Sequence, residues 1–252
     1  MDVNTYLKRI DYQGEIEPTA KVLAQLQRQH LLHVPFENLD IHYHRKIELG
    51  AEAFYHKVVM QGRGGFCYEL NGLFYELLYK LGFEVRRISA RVYHDDGSLS
   101  PEYDHLALLV KASGQSYLVD VGFGRFAIAT LPLSSGSQIT DSEGTFVLDQ
   151  NGDSTWQVSI VKDNKKTPHY LFTESPRELE EFASMCRYHQ TDPKSLFLTN
   201  KLVSIALPNG RKTLTDDTLK VTKDDDTNKA SFDPADFEEM LYKHFSIRMP
   251  NL

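Results

Sequence analysis

Leu70, Leu73, Phe74, Leu77, Leu78 and Leu81 recur at i, i+3, i+4, i+7, i+8 and i+11, and Gly82 follows the last of them. This spacing lays a continuous apolar stripe along a helix, with glycine as the usual C-terminal stop. Such a stripe has to be buried against another layer, so a core on one side of this helix is the first constraint on the fold. Directly ahead of it, Arg63-Gly64-Gly65-Phe66-Cys67-Tyr68-Glu69 sets a cysteine at the helix start, behind two glycines.

Two more helical stretches are legible. Pro18 suits a first helical turn, where its missing N–H would be unpaired anyway, and Val22, Leu23, Leu26 and His30 follow at helical spacing. At the other end Asp233-Pro234 reads as an N-cap and N1 proline opening a helix through Phe237, Leu241 and Phe245. Between them, from Phe83, the texture becomes that of strands. Residues 85–92, 105–110, 116–121, 145–148, 156–161 and 169–172 are apolar runs of strand length, the first three separated by turn-forming residues. A Glu-rich segment, 177–188, reads as helical. Residues 202–207 and 213–222 read as two strands of a hairpin about Pro208-Asn209-Gly210. Helical segment, strand-rich core and small mixed segment make an α+β chain.

Its 252 residues are 41% hydrophobic, enough for a real core, and a net charge of -7 argues against a nucleic-acid surface. No apolar window is long enough for a membrane span, and the N-terminus carries neither a charged n-region nor an apolar h-region. With only Cys67 and Cys186 there is no disulfide framework. A reducing cytoplasm is the expected setting, and it lets a thiol act as a nucleophile.

At a helix start, free amides and the helix dipole favour a thiolate, so a lowered thiol pKa is expected for Cys67. The same amides suit the oxyanion of a tetrahedral intermediate. Cys186 has no such setting. A nucleophilic cysteine needs a base, and the base needs an orienting partner. His105 opens one strand and Asp120 lies in the next. A four-residue loop at 111–114 sets them directly opposite; a two-residue loop at Ser113-Gly114 makes them diagonal on one face. Either register puts the carboxylate within reach of the imidazole. A carboxylate in an apolar strand also needs a partner. Of the other histidines, His244 falls on the last helix and the rest sit in polar or loop contexts, none with metal-ligand spacing, so no metal is expected. The turn Val121-Gly122-Phe123-Gly124-Arg125 offers backbone amides to a phosphate, and Arg125 a charge.

The run Arg63-Gly64-Gly65-Phe66-Cys67, with Glu69 and Asn71, resembles the active-site motif of the arylamine N-acetyltransferase family. His33-Val34-Pro35-Phe36-Glu37-Asn38-Leu39 and Asp120-Val121-Gly122-Phe123-Gly124 resemble two further motifs of that family. The resemblance implies an N-terminal helical bundle (1–82) carrying the cysteine, a central antiparallel β-barrel (83–175) carrying His105 and Asp120, and a C-terminal α/β lid (176–252). It implies acetyl-CoA as donor, arylamines, arylhydroxylamines or hydrazines as acceptors, and a ping-pong sequence through an acetylated Cys67. It assigns Cys67, His105 and Asp120 as the triad, Phe36, Val92, Phe123 and Phe197 as the acceptor pocket, and the backbone around Asp104, His105, Gly122 and Gly124 as the coenzyme A contact. Asp104 departs from the small or uncharged residue usual in the family, and a carboxylate there would oppose a pyrophosphate. Two rival readings share the residues. One is a papain-like cysteine hydrolase, with Gln61 as an oxyanion donor; the other is a non-catalytic binding module. Oligomeric state is left open.

Overall fold

In the computed structural model, which describes residues 1–152, 154–162, 164–224 and 226–249, the chain begins with α1 (Val3–Arg9) and α2 (Ala20–His33). Thr19 caps α2 by accepting from the Val22 amide, so Pro18 precedes the cap rather than occupying the first turn. Then come β1 (Phe36–Glu37), α3 (Leu39–His42) and α4 (Ala51–Tyr55), which runs into one wider helical turn, His56–Met60. The leucine stripe forms α5 (Cys67–Lys80), begun by the Glu69 carboxylate accepting from the Phe66 amide and stopped at Leu81 before Gly82. Leu70, Leu73, Phe74, Leu77 and Leu78 are fully buried. Each such side chain stabilises the fold by about 1.5–3 kcal/mol, which is why this helix is central.

Strands β2 (Glu84–Val92), β3 (His105–Ala112), β4 (Gln115–Val119), β5 (Leu131–Pro132), β6 (Ser137–Asp141), β7 (Gly144–Asn151), β8 (Thr155–Lys162) and β9 (Lys165–Thr173) follow. They form one antiparallel sheet in the order β5-β4-β3-β2-β9-β8-β7-β6, curled into a nearly closed barrel. Strand β3 is covered on both faces. Leu106, Leu108 and Val110 join the core that contains α5, while Ala107 and Leu109 join Phe146, Val158 and Tyr170 inside the barrel. A strand buried on both sides reads as an unbroken apolar run, as His105–Val110 does. Ser113 and Gly114 both have positive φ (50° and 78°), forming a two-residue turn whose twist suits a hairpin. The register is therefore Ala112↔Gln115 through Leu108↔Val119. The direct His105–Asp120 opposition is thereby excluded, and the diagonal one is realised.

The Glu-rich segment is a tight turn, Leu179–Phe182, followed by α6 (Ala183–Thr191). A second sheet is built from β10 (Leu202–Leu207), β11 (Gly210–Thr215), β12 (Thr218–Lys223) and β13 (Asp226–Ser231), in the order β1-β10-β11-β12-β13. The single strand expected over 213–222 is broken at Asp216-Asp217 into β11 and β12. Strands β6 and β13 escaped sequence reading because neither carries an apolar run; β13 is exposed throughout. Asp233 caps the turn Pro234–Asp236 that leads into α7 (Phe237–Phe245), as its sequence signals. The class is α+β: helical bundle, antiparallel barrel, then a small α/β segment. The bundle supplies β1 to the C-terminal sheet, so these two regions share a hydrogen-bonded layer. Among the described residues no helix is long and apolar enough to cross a membrane.

Candidate active site

Two stretches of loop fix the start of α5. Arg63, buried at 2% exposure, donates to Glu37 Oε1 at 2.7 Å and to Asp40 Oδ1 at 2.5 Å. Lys57 Nζ lies 2.9 Å from both Asp40 Oδ2 and Glu69 Oε1. Two cations and three carboxylates thus lock the 37–40 segment to the 63–69 segment; burial itself pushes the Glu69 carboxyl upward, and Lys57 opposes that. Gly64 and Gly65 do not serve a left-handed turn. A Cβ on Gly64 would stand 2.0 Å from the Pro35 carbonyl oxygen, so glycine is required by close approach. On the C-terminal side, Asn38 Nδ2 donates to the carbonyls of Phe197 and Asn200, and its Oδ1 accepts from the Leu202 amide.

Cys67 is the first residue of α5 and is 3% exposed. Its Sγ lies 4.0 Å from the Asp104 carbonyl oxygen and accepts from the Leu106 amide, so the sulfur is bracketed by the backbone on either side of His105. Burial pushes the thiol well above its ordinary value, and the Asp104 and Asp120 charges add to this; the Leu106 amide opposes them. The lowered value expected from the helix start is thus overridden by desolvation, which penalises a lone thiolate. Cys186 is also buried, with its thiol pushed up to about 12 by burial.

His105 Nε2 lies 2.7 Å from Asp120 Oδ2. Asp120 is fully buried and its other contacts are all donors: Asn71 Nδ2 at 2.8 Å, the Gly122 amide at 2.9 Å and Tyr170 Oη at 3.1 Å. Four hydrogen-bonding groups on one carboxylate fix its plane. Asn71 also donates to the Leu106 carbonyl and accepts from the Val121 amide, joining α5, β3 and the end of β4 through one side chain. A Cβ on Gly122 would meet Asn71 Nδ2 at 2.7 Å and Cys67 Cα at 2.8 Å, so only glycine lets this turn lie against α5.

Cys67 and His105 open onto a cavity of about 810 Å³, within the range of ligand pockets. Phe36, Val92, Phe123 and Phe197 all line it, as do Asp104, Gly122 and Gly124. Phe123 meets the His105 ring edge-on at 5.1 Å, and Phe36 and Phe197 lie 6.2 Å apart on the other wall. The structure brings every one of these sequence-derived residues to one place, with Asp120 directly behind His105. Two parts of the phosphate expectation are altered. The Gly122 amide is committed to Asp120, and Arg125 to Glu143, through its carbonyl at 2.7 Å and its carboxylate at 3.3 Å. Gln61 is not among the residues lining this cavity, so nothing favours it as an oxyanion donor.

Three contributors were missed as site residues in the sequence. Tyr170 lies in an apolar run whose alternation marks burial but not its hydroxyl's partner. Glu143, buried between Arg125 and Arg211, sits in a polar turn that gives no signal. His189 reads in sequence as a polar-context histidine, yet it is buried in α6, lines the cavity and has Nε2 3.2 Å from Asp104 Oδ1. His30, which reads the same way in sequence, is a buried core histidine on α2 bonded to Tyr6.

The family model for N-acetyltransferases matches residues 19–252. The chain is 36% identical over 238 residues to the pineal gland arylamine N-acetyltransferase isozyme NAT-3 of Gallus gallus, covering 85% of this chain and 81% of that one. It is 32% identical to arylamine N-acetyltransferase 1 of Homo sapiens, over 99% of this chain and 95% of the relative. Among solved structures, the arylamine N-acetyltransferase of Salmonella typhimurium superimposes with a TM-score of 0.93 at 29% identity, covering 99% of this chain and 92% of that one. The Mycobacterium marinum enzyme in complex with CoA does so with a TM-score of 0.89 at 31% identity, covering 98% and 93%. A matched family model over nearly the whole chain, relatives above 30% identity and a shared fold lead to one conclusion: this chain is an acyltransferase belonging to the arylamine N-acetyltransferase family.

Proposed function

We propose that the chain transfers acetyl from acetyl-CoA to arylamines, arylhydroxylamines or hydrazines by way of a thioester on Cys67, with His105 as base and Asp120 as its orienting partner. The observation that carries this reading is the buried 2.7 Å His105–Asp120 contact in the same cavity wall as a thiol bracketed by the backbone on either side of that histidine.

Burial disfavours a lone thiolate, but moving the Sγ proton to the other imidazole nitrogen leaves the net charge of the three residues at -1. The penalty of adding a charge is avoided, and the imidazolium is held by the Asp120 carboxyl group. The thiolate then attacks the acetyl carbonyl, and the resulting oxyanion meets amides at the start of α5. Collapse breaks the carbon–sulfur bond to coenzyme A, whose sulfur takes the proton from His105. In the second half, a neutral amine nitrogen attacks the acetyl carbon of the enzyme thioester. His105 accepts the nitrogen's proton as the Cys67 thiolate leaves, restoring the starting pair. Arylamines suit this step because they are neutral at pH 7 and their rings fit the walls formed by Phe36, Phe123 and Phe197. Lys194, Lys201 and Lys220, which line the cavity from the C-terminal segment, suit the phosphates of the donor.

Steady-state rates with acetyl-CoA and aniline varied together test the order of events. Parallel double-reciprocal lines are expected; intersecting lines would require a ternary complex and reject the two-step transfer.

A further inference from the structure

Asp104 and His189 are not used by the chemistry above, yet they form part of the wall beside the nucleophile. The Asp104 carbonyl is the 4.0 Å neighbour of Cys67 Sγ, and Asp104 lines the same cavity with its side chain 15% exposed. His189 comes from α6, with a side chain 7% exposed; its Nε2 is 3.2 Å from Asp104 Oδ1 and its Nδ1 is 3.4 Å from Ser195 Oγ. The His189 ring also packs edge-on against Phe197 at 4.9 Å. The aromatic wall formed by Phe36 and Phe197 therefore ends in a carboxylate.

Among the described residues no Lys or Arg forms an ion pair with Asp104, whose one such contact is His189. Arg125 and Arg211 both close on Glu143, and Lys201 lies 3.5 Å from Asp216. Lys194 and Lys220, without an ion pair among the described residues, belong to the C-terminal segment. A ring lying against Phe36 and Phe197 carries its substituents into the field of Asp104.

We propose that Asp104 sets the charge preference of the acceptor site, favouring arylamines and hydrazines with a cationic or hydrogen-bond-donating substituent and disfavouring those with a carboxylate. This rests on the acetyl-transfer reading and deepens it by naming an acceptor class. Asp104 acts through its field on the substituent, so it is a selectivity residue rather than a member of the triad.

The test compares 4-aminobenzoate with 4-amino-N,N,N-trimethylanilinium as acceptors, with aniline as the neutral reference, at pH 8. Taking the ratio of kcat/KM for the two charged acceptors in the wild type and in Asp104→Asn cancels their intrinsic nucleophilicities. The substitution is expected to shift the ratio toward 4-aminobenzoate by about ten-fold, the size of a partly screened charge–charge contact. It is expected to change the rate of Cys67 acetylation by p-nitrophenyl acetate by less than that. An unchanged ratio, or an acetylation rate altered as much as the ratio, would overturn the proposal. Salt gives a second readout in the unsubstituted protein, should Asp104→Asn fold poorly. Raising ionic strength from about 0.01 M to about 0.1 M shortens the screening length from about 30 Å to about 10 Å, so the wild-type ratio should move toward 4-aminobenzoate. A flat ratio overturns the proposal. Aniline turnover with a flat ratio rejects only this inference, whereas no turnover of aniline rejects the acetyl-transfer reading and this one with it.

Discussion

Asn71 Nδ2 donates to Asp120 Oδ1 over 2.8 Å from a position one helical turn after Cys67. The contact ties the helix that carries the thiol to the carboxylate behind His105. Because Asn71 also meets the Leu106 carbonyl and the Val121 amide, it sets the spacing of three elements at once.

Asn71→Ala removes all three contacts and leaves buried polar groups unpaired, each costing about 1–3 kcal/mol. Thermal unfolding should show a clear loss of stability, and acetylation of Cys67 should slow by about ten-fold or more as His105 and Cys67 lose their common support. Wild-type acetylation in a folded variant would show that Asn71 holds the fold but not the site.

Asp120→Asn is harsher than its small change in shape suggests. The carboxylate accepts from Asn71, Gly122, Tyr170 and His105, so an amide NH₂ must face a donor wherever it turns. An equivalent change in a serine triad lowers kcat by about 10⁴-fold, and a thiolate depends less on its base, so a loss of about 10²-fold in acetylation is expected. The pH midpoint of Cys67 alkylation by iodoacetamide should rise, since the imidazolium that stabilises the thiolate is less well held. Unchanged acetylation and alkylation profiles would remove Asp120 from the mechanism.

Much of this was legible in residues. The α5 stripe, the Cys67 position and the pairing of His105 with Asp120 across a hairpin follow from periodicity and from the cost of burying a lone carboxylate. The register depends on the left-handed backbone of Ser113 and Gly114, which the sequence leaves open. The helix start that favours a thiolate at Cys67 is a local feature, whereas its burial comes from β3 and the Gly122 turn packing against it. Tyr170, Glu143 and His189 reach the site through pairings distant in sequence, which no local spacing encodes.

Acid should weaken the fold through two buried histidines. Burial depresses His30 from 6.5 to about 3, and burial with the Arg125 charge depresses His169 from 6.5 to about 4. Both are neutral when folded and protonate more readily when unfolded, so stability is full above pH 6.5 and falls as pH drops toward these values. Each contributes at most about 1.4 kcal/mol per pH unit in that window. Urea midpoints between pH 7 and pH 5 should fall, and His30→Gln should reduce the slope. A flat profile would contradict the assignment.

Glu143 joins Arg125 beside the barrel to Arg211 on β11 while itself nearly inaccessible. Glu143→Gln leaves two guanidinium groups without their counter-charge, and breaking such a buried pair costs about 3–5 kcal/mol. Arg125 is half exposed, which moderates this, so the expected loss lies toward the lower figure. Thermal unfolding should report it. No loss would mean that solvent already supports these charges.

The claim on which the rest depends is that Cys67 carries the acetyl group. Intact-mass measurement after mixing the protein with acetyl-CoA, followed by peptide mapping, tests it most directly. The account predicts the gain of one acetyl group, located on Cys67 and not Cys186, lost again on adding aniline, and absent in Cys67→Ala. Acetylated aniline formed by Cys67→Ala, or an acetyl group on another residue that aniline removes, would contradict it.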